Sequence, residues 1–194
     1  MSAIFSSSIE RAALVIAQGG VIVCPTEGVY GISCSLFDET AIKRVIQIKE
    51  RDIQKGLIIV DHCLDTLNDY ICLDNCDNEC KELIKRMWPG PHTFIVKAKE
   101  SFNSIALRSD HSVAVRITQF DTLAKVCKAS NVPMISTSAN ISGNPATSDL
   151  STLDPKLIER VDLILDLPCG NLSEPTSIYD TLTHTLVRKS SNWK

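Results

Sequence analysis

Apolar residues recur at helical spacing in four segments of the chain, and short apolar runs lie between these segments. The first helical segment spans Ile9 to Ile16, with Ser7 or Ser8 placed to cap it and Gly19-Gly20 to end it. The run Val21–Cys24 that follows predicts a buried strand. The other predicted helices begin after Asp38, at Glu79 and at Phe120, and the other predicted strands are Gly56–Val60, Thr93–Lys97, Ser112–Ile117, Pro133–Ser136, Leu163–Asp166, Ser177–Asp180 and Thr185–Arg188.

This alternation of helices and short strands predicts an α/β fold in which helices cover a central sheet. The last predicted strands are closely spaced, which favours antiparallel pairing and therefore a mixed parallel and antiparallel sheet. A chain of 194 residues suits one domain with a sizeable core, so we expect a single domain over residues 1–194.

Composition and charge narrow the class of protein. The chain has a formal net charge of -3, and no apolar stretch approaches the roughly 18 residues of a membrane span. Its first residues lack the basic start and cleavage site of a secretory signal. We therefore expect a soluble, cytoplasmic protein that does not enter a membrane.

Eight cysteines could form disulfides, but their spacing is irregular and nothing indicates export, so we expect reduced thiols. The series Cys72, Cys76 and Cys80 differs from common zinc and iron–sulfur spacings and is typical of one helical face. The four histidines are scattered along the chain. From this spacing we expect no protein-bound metal.

Three cations lie in one short connector of this mildly acidic chain. Lys49, Arg51 and Lys55 fall within KERDIQK, between the second predicted helix and the next predicted strand. Arginine offers phosphate a planar fork and lysine a point charge, so these residues predict a wall facing an anionic ligand. A solvated loop, with Glu50 and Asp52 as charge partners, would show the same pattern, and charge alone does not separate the two interpretations.

A second polar cluster, Ser136-Thr137-Ser138-Ala139-Asn140, begins where a buried strand is predicted to end. It supplies hydroxyl and amide groups but has no adjacent base, and Ser138 lacks the flanking glycines of a nucleophile elbow. We expect it to converge with the cationic connector on one phosphate site. A hydrolase using Ser136 or Ser138 with distant partners is the alternative.

The turn PTEGVYG follows the first predicted strand, where ligands of open α/β sheets tend to bind. Thr26 and Tyr30 could contact a small polar substrate there. Spacing alone favours an ordinary turn, with Gly28 and Gly31 at unusual backbone angles and Tyr30 packed inside. The chain has neither a dinucleotide-binding glycine motif nor a P-loop, so any nucleotide must be bound in another way.

The ordered set of motifs resembles the YrdC-like threonylcarbamoyl-AMP synthase family over nearly the whole chain. The motifs are Pro25-Thr26-Glu27, Val29-Tyr30-Gly31, Lys49-x-Arg51, Lys55-Gly56-Leu57, Trp88-Pro89-Gly90-Pro91, Val115-Arg116-Ile117 and Ser136-Thr137-Ser138-Ala139-Asn140. The resemblance implies an open, twisted sheet with a concave cationic groove. It also implies that L-threonine, bicarbonate and ATP, with accompanying Mg²⁺, give threonylcarbamoyl-adenylate and pyrophosphate, and that partner proteins transfer the product to the anticodon-adjacent adenosine of tRNA.

Site residues follow from the same motifs, position by position. For ATP, the resemblance implies contacts from Lys49, Arg51, Lys55, Ser138, Asn140 and Arg188. For threonine, it implies Thr26, Tyr30, Arg116, Ser136 and Ser177, with Arg116 binding the carboxylate. No residue is assigned as nucleophile or base, because adenylyl transfer needs positioning and charge neutralisation above all.

Several positions depart from the family pattern. Asp52 and Thr118 replace prolines, Gly28 replaces a threonine, His92 interrupts the motif after Trp88, and no glycine follows Arg188.

The polar segment from Ile141 to Thr152 is expected to cover the site and exclude water.

A non-catalytic RNA-binding module using the same cations is the alternative function. Low basicity and 5% aromatic residues argue against it, because such modules usually combine a basic groove with stacking platforms.

Overall fold

A computed structural model describes residues 3–50, 56–191 and 193, and within them eleven β-strands form one sheet. Numbered along the chain, they are β1 (Ile4–Ser6), β2 (Ile22–Pro25), β3 (Tyr30–Ser35), β4 (Ile58–Asp61), β5 (Ile71–Cys72), β6 (His92–Ala98), β7 (Ser112–Ile117), β8 (Met134–Ser138), β9 (Leu163–Leu165), β10 (Ser177–Asp180) and β11 (Thr185–Arg188).

Five α-helices in the same residues flank the sheet. They are α1 (Ile9–Ala17), α2 (Glu39–Lys49), α3 (Asn78–Met87), α4 (Asp121–Ser130) and α5 (Pro155–Ile158). The predicted caps are confirmed, because the Ser8 side chain accepts from Arg11 N and the Asp38 side chain accepts from Ala41 N. Short 3-10 helices occupy Asp65–Leu67, Leu73–Asn75 and Leu150–Thr152.

The sheet mixes both strand directions, as predicted. Its order is β1-β9-β2-β3-β8-β4-β7-β6-β10-β11, with β5 paired to β6 outside this path. The pairs β1/β9, β9/β2, β4/β7 and β6/β10 are parallel, and the other pairs are antiparallel. The central strand β8 is antiparallel to both of its neighbours, β3 and β4, so the end of β8 lies beside the start of β4.

Hydrophobic cores lie on both faces of the sheet. Ile22 and Cys24 pack with α1 and α4 on one face, whereas Val21 and Val23 pack with α2 and α3 on the other. Because side chains alternate between faces, a strand covered on both sides has an unbroken apolar sequence. This explains why the run from Val21 was recognisable without any alternation of polar residues.

The cysteines behave as core residues. All eight are free, and five of them are buried: Cys24, Cys34, Cys76, Cys80 and Cys127. Burial raises the pKa of the Cys34 thiol to about 12 and raises the pKa of Cys24 and Cys127 as well. The thiols of Cys24, Cys34 and Cys127 therefore stay protonated and pack as small apolar groups.

Four elements escaped prediction, namely β1, β3, β5 and α5. β3 is the most important, because its sequence YGISCS is rich in small and polar residues although all six are buried. Its first two residues, Tyr30 and Gly31, were assigned to the turn after β2, but they begin a central strand between β2 and β8. Within the described ranges, no helix combines the length and the hydropathy needed to span a membrane.

Candidate functional site

A cavity of about 450 Å³ opens over the middle of the sheet, beside the start of β4 and the end of β8. Three arginines from separate parts of the chain line it, together with hydroxyl groups from β8 and the segment before β10. The lining residues used below are Thr26, Tyr30, Arg108, Arg116, Ser136, Ser138, Thr176 and Arg188.

Lys49 joins the two segments that were predicted to converge. It is the last residue of α2, is 2% exposed, and directs its ammonium group at the end of β8. Lys49 Nζ donates to the carbonyl oxygens of Ser138 and Asn140, the latter at 2.8 Å, and lies 3.3 Å from Asn140 Oδ1. Ser142 N also donates to Lys49 O at 2.9 Å. The cationic connector therefore begins against the serine-rich segment.

The sheet topology explains this meeting of residues that are 89 positions apart. Because β8 runs antiparallel to β4, the segment leaving β8 and the segment entering β4 lie at the same edge. Lys49 therefore meets Ser138 at the end of the sheet where β4 starts. Arg51 and Lys55, the other predicted site residues of the cationic connector, lie outside the described residues, as does Asp52.

Arg116 is a buried arginine of β7 with a fixed orientation. Its Nε lies 3.2 Å from Glu27 Oε1, and its Nη1 donates to Thr176 Oγ1 at 3.2 Å. Thr118 Oγ1 donates to the same Glu27 oxygen at 2.7 Å. Glu27 Oε2 and Arg116 Nε are buried without a hydrogen-bond partner in the described chain. A guanidinium has five N–H donors, so Arg116 retains donors for a ligand carboxylate in the cavity.

Thr26 and Tyr30 both line the cavity, but their hydroxyl groups have protein partners. Thr26 Oγ1 donates to Val29 O at 2.7 Å, which leaves its lone pairs available to a ligand donor. Tyr30 is 3% exposed, and its hydroxyl donates to Leu167 O at 2.8 Å. Burial raises the pKa of Tyr30 to about 12. The Tyr30 ring therefore forms part of the cavity wall, and its hydroxyl is occupied by a hydrogen bond within the protein.

The serines of the two predicted ligand sets have different positions. Ser136 and Ser138 line the cavity from β8, as alternate residues on one face of that strand. Ser177, in contrast, is completely buried, and its hydroxyl lies 2.8 Å from His92 Nδ1. Neighbouring residues of a strand point to opposite faces, so Thr176 and Ile178 line the cavity and Ser177 does not. The predicted placement of Ser177 is corrected accordingly.

Two more arginines complete the wall. Arg188 ends β11, lines the cavity, and donates from Nε to Thr176 O at 2.7 Å. Arg108 was not predicted. It lies before β7, is half-buried, and has an Nε with no hydrogen-bond partner among the described residues. Its Cγ lies so close to Gly56, at φ +62°, that a Cβ there would approach it to 2.7 Å.

Arg108 carries no motif that would have identified it. It reaches the cavity because Leu57 N donates to Ala106 O at 3.1 Å, which holds the segment before β7 against the start of β4. The cavity thus combines three guanidinium groups with several hydroxyl groups. Its lining in the described chain includes neither a histidine nor a carboxylate. Such a site can bind and orient anions, but it offers no evident base for a serine nucleophile.

Comparison with known proteins identifies the family. The Sua5–YciO–YrdC family model, described as "Telomere recombination", matches residues 14–190. The chain belongs to the Sua5–YciO–YrdC family. The threonylcarbamoyl-AMP synthase of Xanthomonas campestris pv. campestris is 37% identical over 180 residues, which cover 93% of this chain and 96% of that protein. The threonylcarbamoyl-AMP synthase of Xylella fastidiosa is 37% identical over 181 residues, covering 93% and 97%.

Solved structures of the Sua5–YciO–YrdC family show the same fold. E. coli YciO superposes with a TM-score of 0.81 and 27% identity, covering 98% of this chain and 97% of its own. P. abyssi Sua5 in complex with L-threonine gives a TM-score of 0.81 and 27% identity over 92% of this chain. This chain spans 53% of the length of that Sua5. The predicted family resemblance and mixed-sheet fold class are confirmed.

Two departures from the pattern expected for the Sua5–YciO–YrdC family have local structural explanations. Thr118, where proline was expected, binds Glu27 and so supports the partner of Arg116. Gly28 is required by close packing, because a Cβ at this position would collide with the carbonyl oxygen of Glu174. Neither Gly28 nor Gly31 has the unusual positive φ that the turn interpretation assigned to them.

Proposed function

We propose that this protein is a threonylcarbamoyl-AMP synthase, which converts L-threonine, bicarbonate and ATP into threonylcarbamoyl-adenylate and pyrophosphate. The observation that carries the proposal is the cavity in which Arg116, held by buried Glu27, lies with Arg188 and the Lys49-bound end of β8. The cavity therefore offers one cationic group for a carboxylate and a second cationic group for phosphates. The names of the relatives that match nearly their full length support the same activity.

Threonine fits the Arg116 side of the cavity. A guanidinium that is already oriented by Glu27 and Thr176 can bind the amino-acid carboxylate with its remaining N–H groups. Thr26 and Ser136 lie on the same wall and supply hydroxyl groups for the ammonium or side-chain hydroxyl of the substrate. Tyr30 provides an apolar surface there.

ATP fits the side formed by β8, β11 and the segment before β7. Ser138 and Asn140 are held in place by Lys49, and Arg188 and Arg108 provide positive charge toward the phosphates. From the sequence, Arg51 and Lys55 add to this field. Mg²⁺ accompanies ATP as part of the substrate, because a hard cation bridging phosphate oxygens needs few protein ligands. The absence of carboxylates from the described lining fits that arrangement.

The chemistry requires positioning above all. The threonine amine first adds to the bicarbonate-derived carbon, giving a carbamate with loss of water. A carbamate oxygen then attacks the α-phosphorus of ATP, the bond to the β,γ-phosphates breaks, and pyrophosphate leaves with the electron pair. The arginines that line the cavity can stabilise the charge that develops on the phosphate oxygens without a protein nucleophile.

The later fate of the product is also part of the proposal. Threonylcarbamoyl-adenylate is a mixed anhydride and reacts with nucleophiles. In the proposed function, a transfer protein that acts on tRNA consumes it. Action on tRNA would place this protein in the cytoplasm. Direct contact with RNA is not required for the adenylylation step.

One assay tests the proposed function. Purified protein is incubated with ATP, threonine and bicarbonate, and pyrophosphate release and the adenylate product are measured together. Omitting either threonine or bicarbonate should abolish both signals, and serine should substitute better than valine, because one methyl group contributes only about 1–3 kcal/mol whereas the hydroxyl can be hydrogen-bonded. Pyrophosphate release that continues without threonine would contradict the assignment.

A further inference from the structure

Three side chains of metal-binding type meet at the end of the β10–β11 hairpin, on residues that the proposed function does not use. Asp77 precedes α3, Cys80 lies in its first turn, and His184 lies in the hairpin turn. One ligand atom from each lies within 4.8 Å of the other two. His184 Nδ1 is 3.8 Å from Cys80 Sγ, and His184 Nε2 is 3.3 Å from Asp77 Oδ2.

These separations approach those of a coordinated ion. With Zn–S near 2.3 Å and Zn–N near 2.0 Å, two tetrahedral ligands lie about 3.5 Å apart. The observed sulfur–nitrogen distance exceeds this by a few tenths of an ångström, and the two contacts of the imidazole use different ring nitrogens. The half-exposed imidazole must therefore rotate to direct one nitrogen at an ion that Cys80 and Asp77 share. Thiolate, imidazole and carboxylate are also the three side-chain groups that zinc accepts.

The local structure holds the ligands and leaves one side open. Asp77 Oδ1 accepts from Cys80 N at 2.8 Å as the helix cap, so Oδ2 points outward. His184 has φ +55°, and its ring lies beside Asp77 and Cys80 at the start of α3. The side chains of Asp77 and His184 are about half exposed, whereas Cys80 is buried. An ion could therefore enter from solvent and reach the thiol.

We propose that Asp77 Oδ2, Cys80 Sγ and one ring nitrogen of His184 bind a zinc ion, with water as the fourth ligand. The Cys80 thiol proton leaves to solvent as the ion binds, so the bound sulfur is a thiolate. Cys76 lies outside this cluster, with its thiol directed to Thr181 Oγ1 at 3.6 Å. Zinc binding replaces the weak hydrogen bond that the Cys80 thiol makes to Thr181 O at 3.9 Å. The sequence predicted no bound metal because His184 is 104 residues from Cys80 and no local spacing links them.

The ion would join the amino terminus of α3 to the hairpin whose second strand ends in Arg188. Binding would stabilise the folded protein by mass action, since the unfolded chain does not hold these ligands together. The zinc site does not depend on the proposed enzymatic function, because its three residues lie outside the lining of the arginine cavity, the cavity lined by Arg108, Arg116 and Arg188.

The test is a competition titration of metal-free, reduced protein against a chromophoric zinc chelator. The parent protein should bind one equivalent of zinc more tightly than any further equivalents, and zinc should raise its melting temperature. His184→Gly should weaken that equivalent at least about 10-fold, since even the loss of an outer partner of a metal ligand costs this much. Glycine suits the positive φ at this position, so the variant should fold.

His111→Gly is the matched control. His111 also has a positive φ, 58°, but it lies away from the cluster, with Nε2 3.1 Å from Lys99 O. The zinc affinity of His111→Gly should equal that of the parent protein. Cobalt provides a second measurement, because Cys80→Ser should remove a thiolate-to-cobalt charge-transfer band. Equal zinc affinity of His184→Gly and the parent, or no tight equivalent in the parent, would overturn the proposal.

Discussion

At the scale of residues, the buried pair of Arg116 and Glu27 controls how the cavity presents positive charge. Taking two charges out of water costs free energy that their attraction does not reliably recover, so such a pair is weak evidence for stabilisation. Here the pair holds the Arg116 guanidinium in one orientation. Glu27 and Thr176 contact the guanidinium from two directions, and Thr118 fixes Glu27 in turn.

Arg116→Lys tests this positional role. Lysine keeps a positive charge beside Glu27, so the fold should persist, but it lacks the planar fork that binds a carboxylate in a bidentate manner. We expect KM for threonine to rise by roughly 10- to 150-fold, which corresponds to about 1.5–3 kcal/mol for a lost charged hydrogen bond. KM for ATP should change little. Steady-state pyrophosphate release measures both, and an equal rise in the two constants would contradict the placement of threonine.

Arg108 provides a second test at this scale. Its Nε has no hydrogen-bond partner in the described chain, and its ion pair with Asp110, at 3.8 Å, is partly exposed, so Arg108→Gln should cost little folding free energy. We expect KM for ATP to rise about 10-fold from the loss of one charged contact. Arg86→Gln is the control, since Arg86 is an exposed arginine of α3 that does not line the cavity. If the two variants have the same KM for ATP, Arg108 does not contact the phosphates.

At the scale of elements, the junction between α2 and β8 determines whether the phosphate side of the cavity forms. α2 ends at Lys49, whose backbone and side chain both bind the segment that follows β8. Buried lysines are rare and need hydrogen-bond partners, which the carbonyl groups of Ser138 and Asn140 supply. This contact fixes Ser138 and Asn140 before any ligand binds.

Lys49→Met should separate these two elements. Methionine keeps the length of the side chain but removes the ammonium donor from both carbonyl groups. The Ser138 carbonyl still accepts from Asn140 N at 2.9 Å, so the penalty falls mainly on the Asn140 carbonyl. We expect a loss of about 1–3 kcal/mol in the free energy of unfolding, measured in urea. Lys43→Met on the same helix is the control: its pair with Glu39 is exposed, so its loss should cost less than about 0.5 kcal/mol. Similar losses for both variants would show that the Lys49 contact is not structural.

The pairing of β6 with β10 predicts a dependence of stability on pH. His92 of β6 is buried beside Ser177, and burial lowers its pKa while the charge of Glu27 opposes this. The unfolded chain therefore takes up this proton at a higher pH than the folded chain does. Stability is complete above the unfolded pKa of 6.5 and falls as the pH drops below it.

His92→Leu should reduce this acid-induced loss of stability. The measurement is the free energy of unfolding at a series of pH values from neutral to mildly acidic. Ser177→Ala should lower stability at every pH but retain the slope, because the imidazole remains. An identical slope in His92→Leu and the parent would assign the pH dependence to other groups.

At the scale of the whole molecule, sequence patterns predicted what depends on local or periodic signals. Helices with side-chain caps and strands such as β2 and β7 were found because burial on one or both faces leaves a regular apolar pattern. β3 was missed because its small polar residues fit between β2 and β8, a condition that only the assembled sheet creates. β1 and β5 are too short to carry a pattern.

The site shows the same division. Motifs identified Lys49, Arg116 and Arg188, and the topology brings the first of these to Ser138 as expected. Arg108 could not be identified, since its position follows from a backbone contact between Leu57 and Ala106. The strand position of Ser177 was predicted, but the face to which its side chain points was not, because a shift of one residue reverses the orientation.

The proposed function requires one cavity to hold ATP and threonine together. A crystal structure with a non-hydrolysable ATP analogue and L-threonine tests this most directly. We predict the triphosphate beside Ser138, Arg108 and Arg188, and the threonine carboxylate against Arg116. Density for either ligand outside the arginine cavity, with the cavity itself filled by solvent, would contradict the account.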